Sequence, residues 1–245
     1  MRTCLVTSAL TFVPENYNRL ILRLAEHPSV IGLIEIENRE SSVFLKALGM
    51  ILTLSAPRMG WTLLQNSFDS TRKQRRLAFE QRGKWVKVAN SPKSSEILKL
   101  IEDESLDLIL NARTRVIYRD ELLKKPRLGC VNIHHGLLPK QRGLMCDFWA
   151  HLEGESSGFS LHKMTSKIDD GPILWVQEVD SDRKDYLKAL LQTSEIEAQV
   201  CLDLLTRIQA TGRLHPLDVP VSDYCYRKKP SLLDGYRLQL RGIKV

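Results

Sequence analysis

The sequence predicts an α/β protein: an open, mostly parallel sheet flanked by helices, with a helical insert and a short C-terminal helical extension. Three observations lead there. The chain opens strand–helix–strand, the unit that builds parallel sheets. Its strand candidates are short, continuous and β-branched, as strands buried on both faces are. Two of them end in Gly/Pro turns loaded with polar residues, VNIHHGLLP (Val131 to Pro139) and LHKMTSKIDDGPIL (Leu161 to Leu174). Open α/β folds place their sites at such strand ends.

The elements follow in order. Thr3 to Thr7 reads as a strand rather than a leader peptide, because only one basic residue precedes a Thr/Ser-diluted apolar stretch with no small-x-small site. Pro14 opens a helix with Leu20, Ile21 and Leu24 on one face. Val30 to Ile36 is a buried parallel strand and Lys84 to Val88 a short one. Ser91-Pro92 starts a helix through Ile97, Leu98 and Ile101. Leu106 to Leu110 and Cys130 to His134 are strands, and Met145 to Leu152 is one or two helical turns. Gly158 to Met164 and Ile173 to Val179 are strands. Ser194 and Glu197 read as a capping box, Ile196, Val200, Leu204 and Ile208 recur at helical spacing, and Gly212 marks the stop. The expected division is a catalytic unit over 1–185 and a helical extension with a mixed tail over 186–245.

Ser41 to Arg82 is longer than an ordinary connection inside an α/β unit. It predicts a helical excursion. Its apolar half, including Phe44, Leu48, Ile51, Leu52 and Trp61, needs a cover: the sheet, a second copy of the chain or a membrane surface. Its basic half, Arg72, Lys73, Arg75 and Arg76, reads as facing water, or anionic groups at such a boundary. Val43 to Leu64 is broken by Lys46, Pro57 and Arg58 and falls short of the ~18 apolar residues of a spanning helix.

The 245 residues are 43% apolar, ordinary for a globular protein, and carry a net charge of +7. That charge favours anionic partners. Nucleic acid is disfavoured, because between Arg72 and Lys84 only Phe79 offers a ring to stack on. Cys4, Cys130, Cys146, Cys201 and Cys225 are scattered without a Cys-x-x-Cys pair, which argues against a disulfide framework and fits a cytoplasmic location.

Asn132, His134 and Asp169 bring an amide, an imidazole and a carboxylate to the two polar turns. Together these groups suit stabilising an oxyanion while a proton moves. A zinc site of His134, His135, His162, Asp169 and Asp170 is the competing chemistry, but the spacings fit no compact ligand motif. The segment reads Asn132-Ile133-His134, Gly136-Leu137-Leu138-Pro139-Lys140, Arg142-Gly143, Gly154-Glu155, Gly158, His162 and, seven residues on, Asp169. It resembles the formyltransferase family that uses 10-formyltetrahydrofolate, nearly continuously from Leu128 to Ile173. The first hundred residues resemble it only as a Rossmann-like pattern.

The resemblance implies a formyltransferase fold and transfer of a formyl group to a primary amine. Asn132, His134 and Asp169 take the catalytic places. A protonated His134, its pKa raised by Asp169, joins Asn132 as oxyanion donor, and Asp169 takes the amine proton. Arg115, Val116 and Ile117 correspond to the turn that receives the pterin ring, with Ser166 and Ile168 across from it, and no metal is required. His135 stands where the family has a small residue or Pro; it faces either the acceptor or solvent, with solvent the favoured reading.

For the acceptor the reading is by elimination. The turn Thr7-Ser8-Ala9-Leu10-Thr11 has no Gly to cradle a glycinamide ribonucleotide phosphate. About sixty residues follow the catalytic core, fewer than the second domain of initiator-tRNA formyltransferases. An amino sugar or sugar nucleotide, an anionic small molecule, is left. Formylation of methionyl-tRNA or glycinamide ribonucleotide, and a non-catalytic folate- or nucleic-acid-binding protein, remain alternatives. A homodimer and a membrane-surface contact through 41–82 stay open.

Overall fold

The computed structural model describes every residue except 10–12, 38–41, 67–70, 115 and 221–222; of residues 14, 42–44 and 66 it describes the backbone alone. The first half runs β1 (Thr3–Ser8), α1 (Pro14–Glu26), β2 (Val30–Ile36), α2 (Ser42–Leu52), α3 (Pro57–Asn66), α4 (Thr71–Glu80), β3 (Trp85–Ala89), α5 (Ser95–Asp103) and β4 (Leu108–Ala112). The second half runs α6 (Asp120–Lys124), β5 (Gly129–His134), β6 (Gln141–Gly143), α7 (Cys146–Glu153), β7 (Gly158–Lys163), β8 (Ile173–Glu178), α8 (Tyr186–Thr211), β9 (Cys225–Arg227) and α9 (Leu232–Leu240). Seven strands form one sheet in the order β3-β2-β1-β4-β5-β7-β8. The five from β3 to β5 are parallel, and β7 and β8 are antiparallel. β6 and β9 pair in a separate two-stranded ribbon.

The central parallel strands are buried along their length because helices cover both faces, while β3 at the sheet edge is largely half-buried. β1 and β4 have every residue buried, including the polar Thr3, Thr7 and Ser8 of β1 and Asn111 of β4. On one face α1 packs against α8, and Leu20, Ile21 and Leu24 meet Val200, Cys201, Leu204 and Ile208 in one core. Each such side chain contributes about 1.5–3 kcal/mol on burial. On the other face α5 and α6 cover Cys4, Val6, Ile34 and Cys130. Among the described residues, no helix is long and apolar enough to cross a membrane.

Three expectations are corrected. α8 starts at Tyr186, capped by Asp185, so Ser194 and Glu197 sit inside the helix rather than at its start. Ser194 turns its hydroxyl onto the Leu191 carbonyl, and Glu197 is fully buried, facing an arginine. The Ser-x-x-Glu spacing matches a capping box, but in mid-helix both side chains take other partners. The helix through Ile97 begins at Ser95 with Ser94 as its cap, after the Ser91-Pro92 turn.

The third correction concerns the arginines of α4. Glu35, at the end of β2, is fully buried. Arg72 Nε and Arg75 Nη2 each lie 3.4 Å from its Oε1, and Arg76 Nε lies 2.5 Å from its Oε2. Arg75 is itself fully buried. Only Lys73 of the four cations is exposed. A carboxylate taken out of water needs counter-charge, and α4 supplies it.

The insert is helical over α2, α3 and α4. The α2–α3 pair is covered by α7, α8 and α9: Ala56 and Met59 share a cluster with Phe148, Tyr186, Leu187 and Leu238. Leu48 and Ile51 are half-buried, Leu52 and Trp61 stay exposed, and the Phe44 side chain lies outside the described part.

Candidate active site

β4 and β5 run in register, with Asn111 beside Asn132, and both reach the C-terminal edge of the sheet. His134 closes β5. β7 is antiparallel to β5, so its last residue, Lys163, lies beside Val131 rather than at the site. Asp169 therefore does not come from a strand end, as the sequence pattern implied. The loop after β7 folds back along β5 to deliver it. Asp169 sits at φ 50°, a left-handed conformation that costs a non-glycine residue about 1–2 kcal/mol. It is held there by the backbone N–H of Gly143, which donates to Oδ2 at 2.9 Å. Gly143 itself lies at φ 101°, and a Cβ there would stand 2.2 Å from the Arg227 carbonyl oxygen of β9. The β6–β9 ribbon thus requires glycine at the residue that anchors Asp169.

The other Asp169 oxygen faces two imidazoles. Oδ1 lies 3.6 Å from His134 Nδ1 and 3.6 Å from His162 Nε2. His134 Nε2 donates to the Gln141 carbonyl at 2.8 Å, and His162 Nδ1 donates to the Lys163 carbonyl at 3.2 Å. In their neutral forms both rings then turn lone pairs toward Asp169. With the rings neutral, Asp169 Oδ1 and His134 Nδ1 face each other as two acceptors, while the His162 Nε2 lone pair takes a hydrogen from the Asn132 amide at 3.1 Å.

Burial pushes the His134 pKa down, and outweighs Asp169 pulling it up. This corrects the expectation of a raised His134 pKa: the ring is 6% exposed, and desolvation disfavours its cation more than one carboxylate favours it. Its N–H is also engaged with Gln141, which leaves Asn132 as the amide donor. For Asp169 burial acts upward, but His162 and His134, whenever either ring carries a proton toward it, and the Gly143 amide hold the carboxyl below its usual range.

Asn132 sits between two partners. Its Oδ1 accepts from Asn111 Nδ2 at 2.7 Å, and its Nδ2 contacts His162 Nε2 at 3.1 Å. Asn111 accepts on Oδ1 from the Thr114 backbone N–H at 3.2 Å, the Thr114 hydroxyl at 2.6 Å and the Tyr118 hydroxyl at 3.2 Å.

A cavity of about 500 Å³ opens over these groups. At one end lie Val116, Ile117 and Tyr118 opposite Met164, Ser166, Lys167 and Ile168. Arg115 falls outside the described residues. Ile117 and Ile168 there are 61% and 49% exposed. At the other end lie Asn16, Tyr17, Arg113, His135, Asp147 and Lys229. His135 faces this end, not solvent: Nδ1 is 3.1 Å from Asp147 Oδ2 and Nε2 is 2.6 Å from Glu197 Oε1. Arg113 pairs with the same buried Glu197. Burial and the Arg113 charge push the His135 pKa down to about 4, against Asp147. Among the described residues, no group of three or more His, Cys, Asp or Glu is set to hold a metal ion.

The sequence reading missed Asn111, Arg113, Asp147 and Glu197. Asn111 carried a signal, a lone amide inside the apolar strand DLILNA. Glu197 carried a misleading one, its spacing from Ser194.

The Formyl transferase family model matches residues 69–203. The bifunctional polymyxin resistance protein ArnA of Wigglesworthia glossinidia brevipalpis is 32% identical over 145 residues, 57% of this chain and 22% of that one. A methionyl-tRNA formyltransferase of Lachnospira eligens is 35% identical over 109 residues, 44% of this chain and 34% of that one. This chain thus spans about a third or less of the length of both relatives. Among solved structures, glycinamide ribonucleotide transformylase 1 of Symbiobacterium toebii has a TM-score of 0.59 at 18% identity, covering 89% of this chain and 95% of that one. A sugar N-formyltransferase of a Shewanella species has a TM-score of 0.57 at 19% identity, covering 97% and 87%. At such identity the likeness is one of fold.

Proposed function

We propose that this chain, which belongs to the formyl transferase family, transfers a formyl group from 10-formyltetrahydrofolate to a primary amine on an amino sugar or sugar nucleotide. The observation that carries the reading is the pairing of Asp169 Oδ1 with His134 Nδ1 at 3.6 Å, two acceptors once His134 Nε2 donates to Gln141, beside the Asn132 amide. Formyl transfer needs both features. A neutral amine attacks the formyl carbon, a C–N bond forms and negative charge collects on the formyl oxygen. Asn132 Nδ2 donates to that oxygen, a contact worth ~10²–10³ in turnover. The attacking nitrogen, now cationic, gives its proton to Asp169, with His134 Nδ1 sharing it. The same proton passes to the folate nitrogen as its bond to the formyl carbon breaks, leaving a formamide and tetrahydrofolate. Holding both substrates in one cavity supplies much of the remaining barrier reduction.

The two ends of the cavity support this pairing of substrates. The slot of Val116, Ile117 and Ile168, with Ser166 as its polar member, suits a pterin. The opposite end mixes donors and acceptors (Asn16, Tyr17, Arg113, His135, Asp147), as a polyhydroxylated ring requires.

The test is to mix purified protein with 10-formyltetrahydrofolate and a panel of amino sugars, amino-sugar nucleotides, glycinamide ribonucleotide and methionyl-tRNA, and to detect the formylated product by mass. Formylation of an amino-sugar arm is the expected result. Transfer to methionyl-tRNA alone would move the assignment to the activity named for the Lachnospira relative. No transfer in any arm, with no rise in melting temperature at millimolar folate analogue, would reject folate chemistry.

A further inference from the structure

We propose that Asn111 is the positioning residue that fixes which end of the Asn132 amide faces the cavity, and that the loop lining the folate end sets this polarity through it. The proposal rests on reading Asn132 as the oxyanion donor. The oxygen and nitrogen ends of a side-chain amide have nearly the same shape, so packing leaves two orientations, of which one donates to the substrate and the other repels it.

The choice is made outside the site. A backbone N–H can only donate, so the Thr114 N–H at 3.2 Å identifies the Asn111 atom it meets as Oδ1. The hydroxyls of Thr114 and Tyr118 fall on the same oxygen. Tyr118 is 3% exposed and burial pushes its pKa up, so it keeps the proton it donates. Asn111 must then turn Nδ2 toward Asn132, whose Oδ1 accepts at 2.7 Å. Asn132 is left presenting Nδ2. His162 agrees from the far side: its Nδ1–H is engaged with the Lys163 carbonyl, so Nε2 accepts one Nδ2 hydrogen of Asn132 at 3.1 Å. The second hydrogen is the one for the formyl oxygen. Thr114 and Tyr118 flank the cavity residues Val116 and Ile117, so the wall of the folate end and the oxyanion donor share one hydrogen-bonded chain.

Asn111→Asp separates polarity from shape. The carboxylate keeps the same outline, and the three donors on one oxygen hold it ionised. Its second oxygen replaces Nδ2 opposite Asn132 Oδ1, so the chain now favours the reversed Asn132. Asn111→Ala removes the instruction without reversing it and leaves His162 to choose. We expect kcat to fall ~10²-fold in Asn111→Asp and only ~10-fold in Asn111→Ala, with both KM values moving less than about threefold. An Asn111→Asp enzyme as active as Asn111→Ala, or more so, would mean that shape alone matters and would overturn the proposal.

A wild-type measurement covers an Asn111→Asp chain that does not fold. In NMR spectra of the ligand-free protein the Asn132 side-chain amide protons should show cross-peaks to the His162 ring. Cross-peaks placing those protons against Asn111 instead would also overturn it. The same spectra separate this proposal from the functional one. A wild-type protein that formylates nothing but shows the His162 cross-peaks refutes the assigned reaction and leaves the Asn111 chain standing.

Discussion

Two buried carboxylates, Glu35 and Asp169, sit at the same edge of one sheet and live opposite lives. Glu35 is fully buried and is met by three guanidinium groups, two on one oxygen and one on the other. Asp169 is 8% exposed and receives one backbone N–H, while its other oxygen faces two imidazole nitrogens 3.6 Å away. The first is saturated, so it has no capacity to change. The second is left one proton short, so it can take one. Burial and charge are common to both; the number of protons pointed at the oxygens distinguishes a strut from a base.

Asp169→Asn should break the contrast most sharply. It keeps the shape and the tolerance for a left-handed backbone but removes the proton acceptor. Turnover should fall by about 10³-fold, within the range for general-base loss, while the melting temperature stays within a few degrees. A variant that keeps most of its turnover would show that the proton leaves by another route.

Glu35→Gln is the mirror experiment. It removes the shared carboxylate charge beneath three arginines, of which Arg72 keeps Glu37 at 3.0 Å and Arg75 is fully buried, and should cost on the order of 3–5 kcal/mol. That corresponds to a fall of roughly 10 °C in melting temperature for a chain of this size. The formyl-transfer rate of the molecules still folded should be unchanged. Equal stability would mean that α4 packs without needing Glu35.

Smaller still is the effect of pH on stability. His134 and His135 have folded pKa values below the ordinary 6.5, His135 at about 4. The unfolded chain therefore binds more protons below pH 6.5, so stability is fully present above that value and is lost as pH falls toward 4. His135 alone accounts for roughly 3 kcal/mol of that loss. Denaturation midpoints measured between pH 7 and 4 should show the decline, and His135→Gln should flatten it. A slope unaltered by that substitution would place the titration elsewhere.

The same contrast explains what the sequence could and could not say. Val30–Ile36 is legible to the residue as a strand because its apolar run marks it, although the run does not say what meets Glu35. Asn132, His134 and Asp169 are legible as candidates because polar residues cluster in Gly/Pro turns at strand ends. What lies between distant segments is not legible. Arg72, Arg75 and Arg76 look like a solvated basic run until β2 places Glu35 beneath them. Glu197 looks like a helix cap until α8 is found to begin eleven residues earlier, at Tyr186. Asn111 looks like a flaw in a strand until Thr114, Tyr118 and Asn132 close around it. Local pattern sets elements, and pairing across the fold decides what each charge is for.

The claim that Asp169 Oδ1 faces an unprotonated His134 Nδ1 is tested most directly by ¹⁵N NMR of the histidine rings in the ligand-free protein. At pH 7.5 the account predicts His134 as a neutral ring protonated on Nε2, titrating below 6.5, and the neutral form of His162 protonated on Nδ1. His134 found as an imidazolium at that pH, or protonated on Nδ1 toward Asp169, would contradict it.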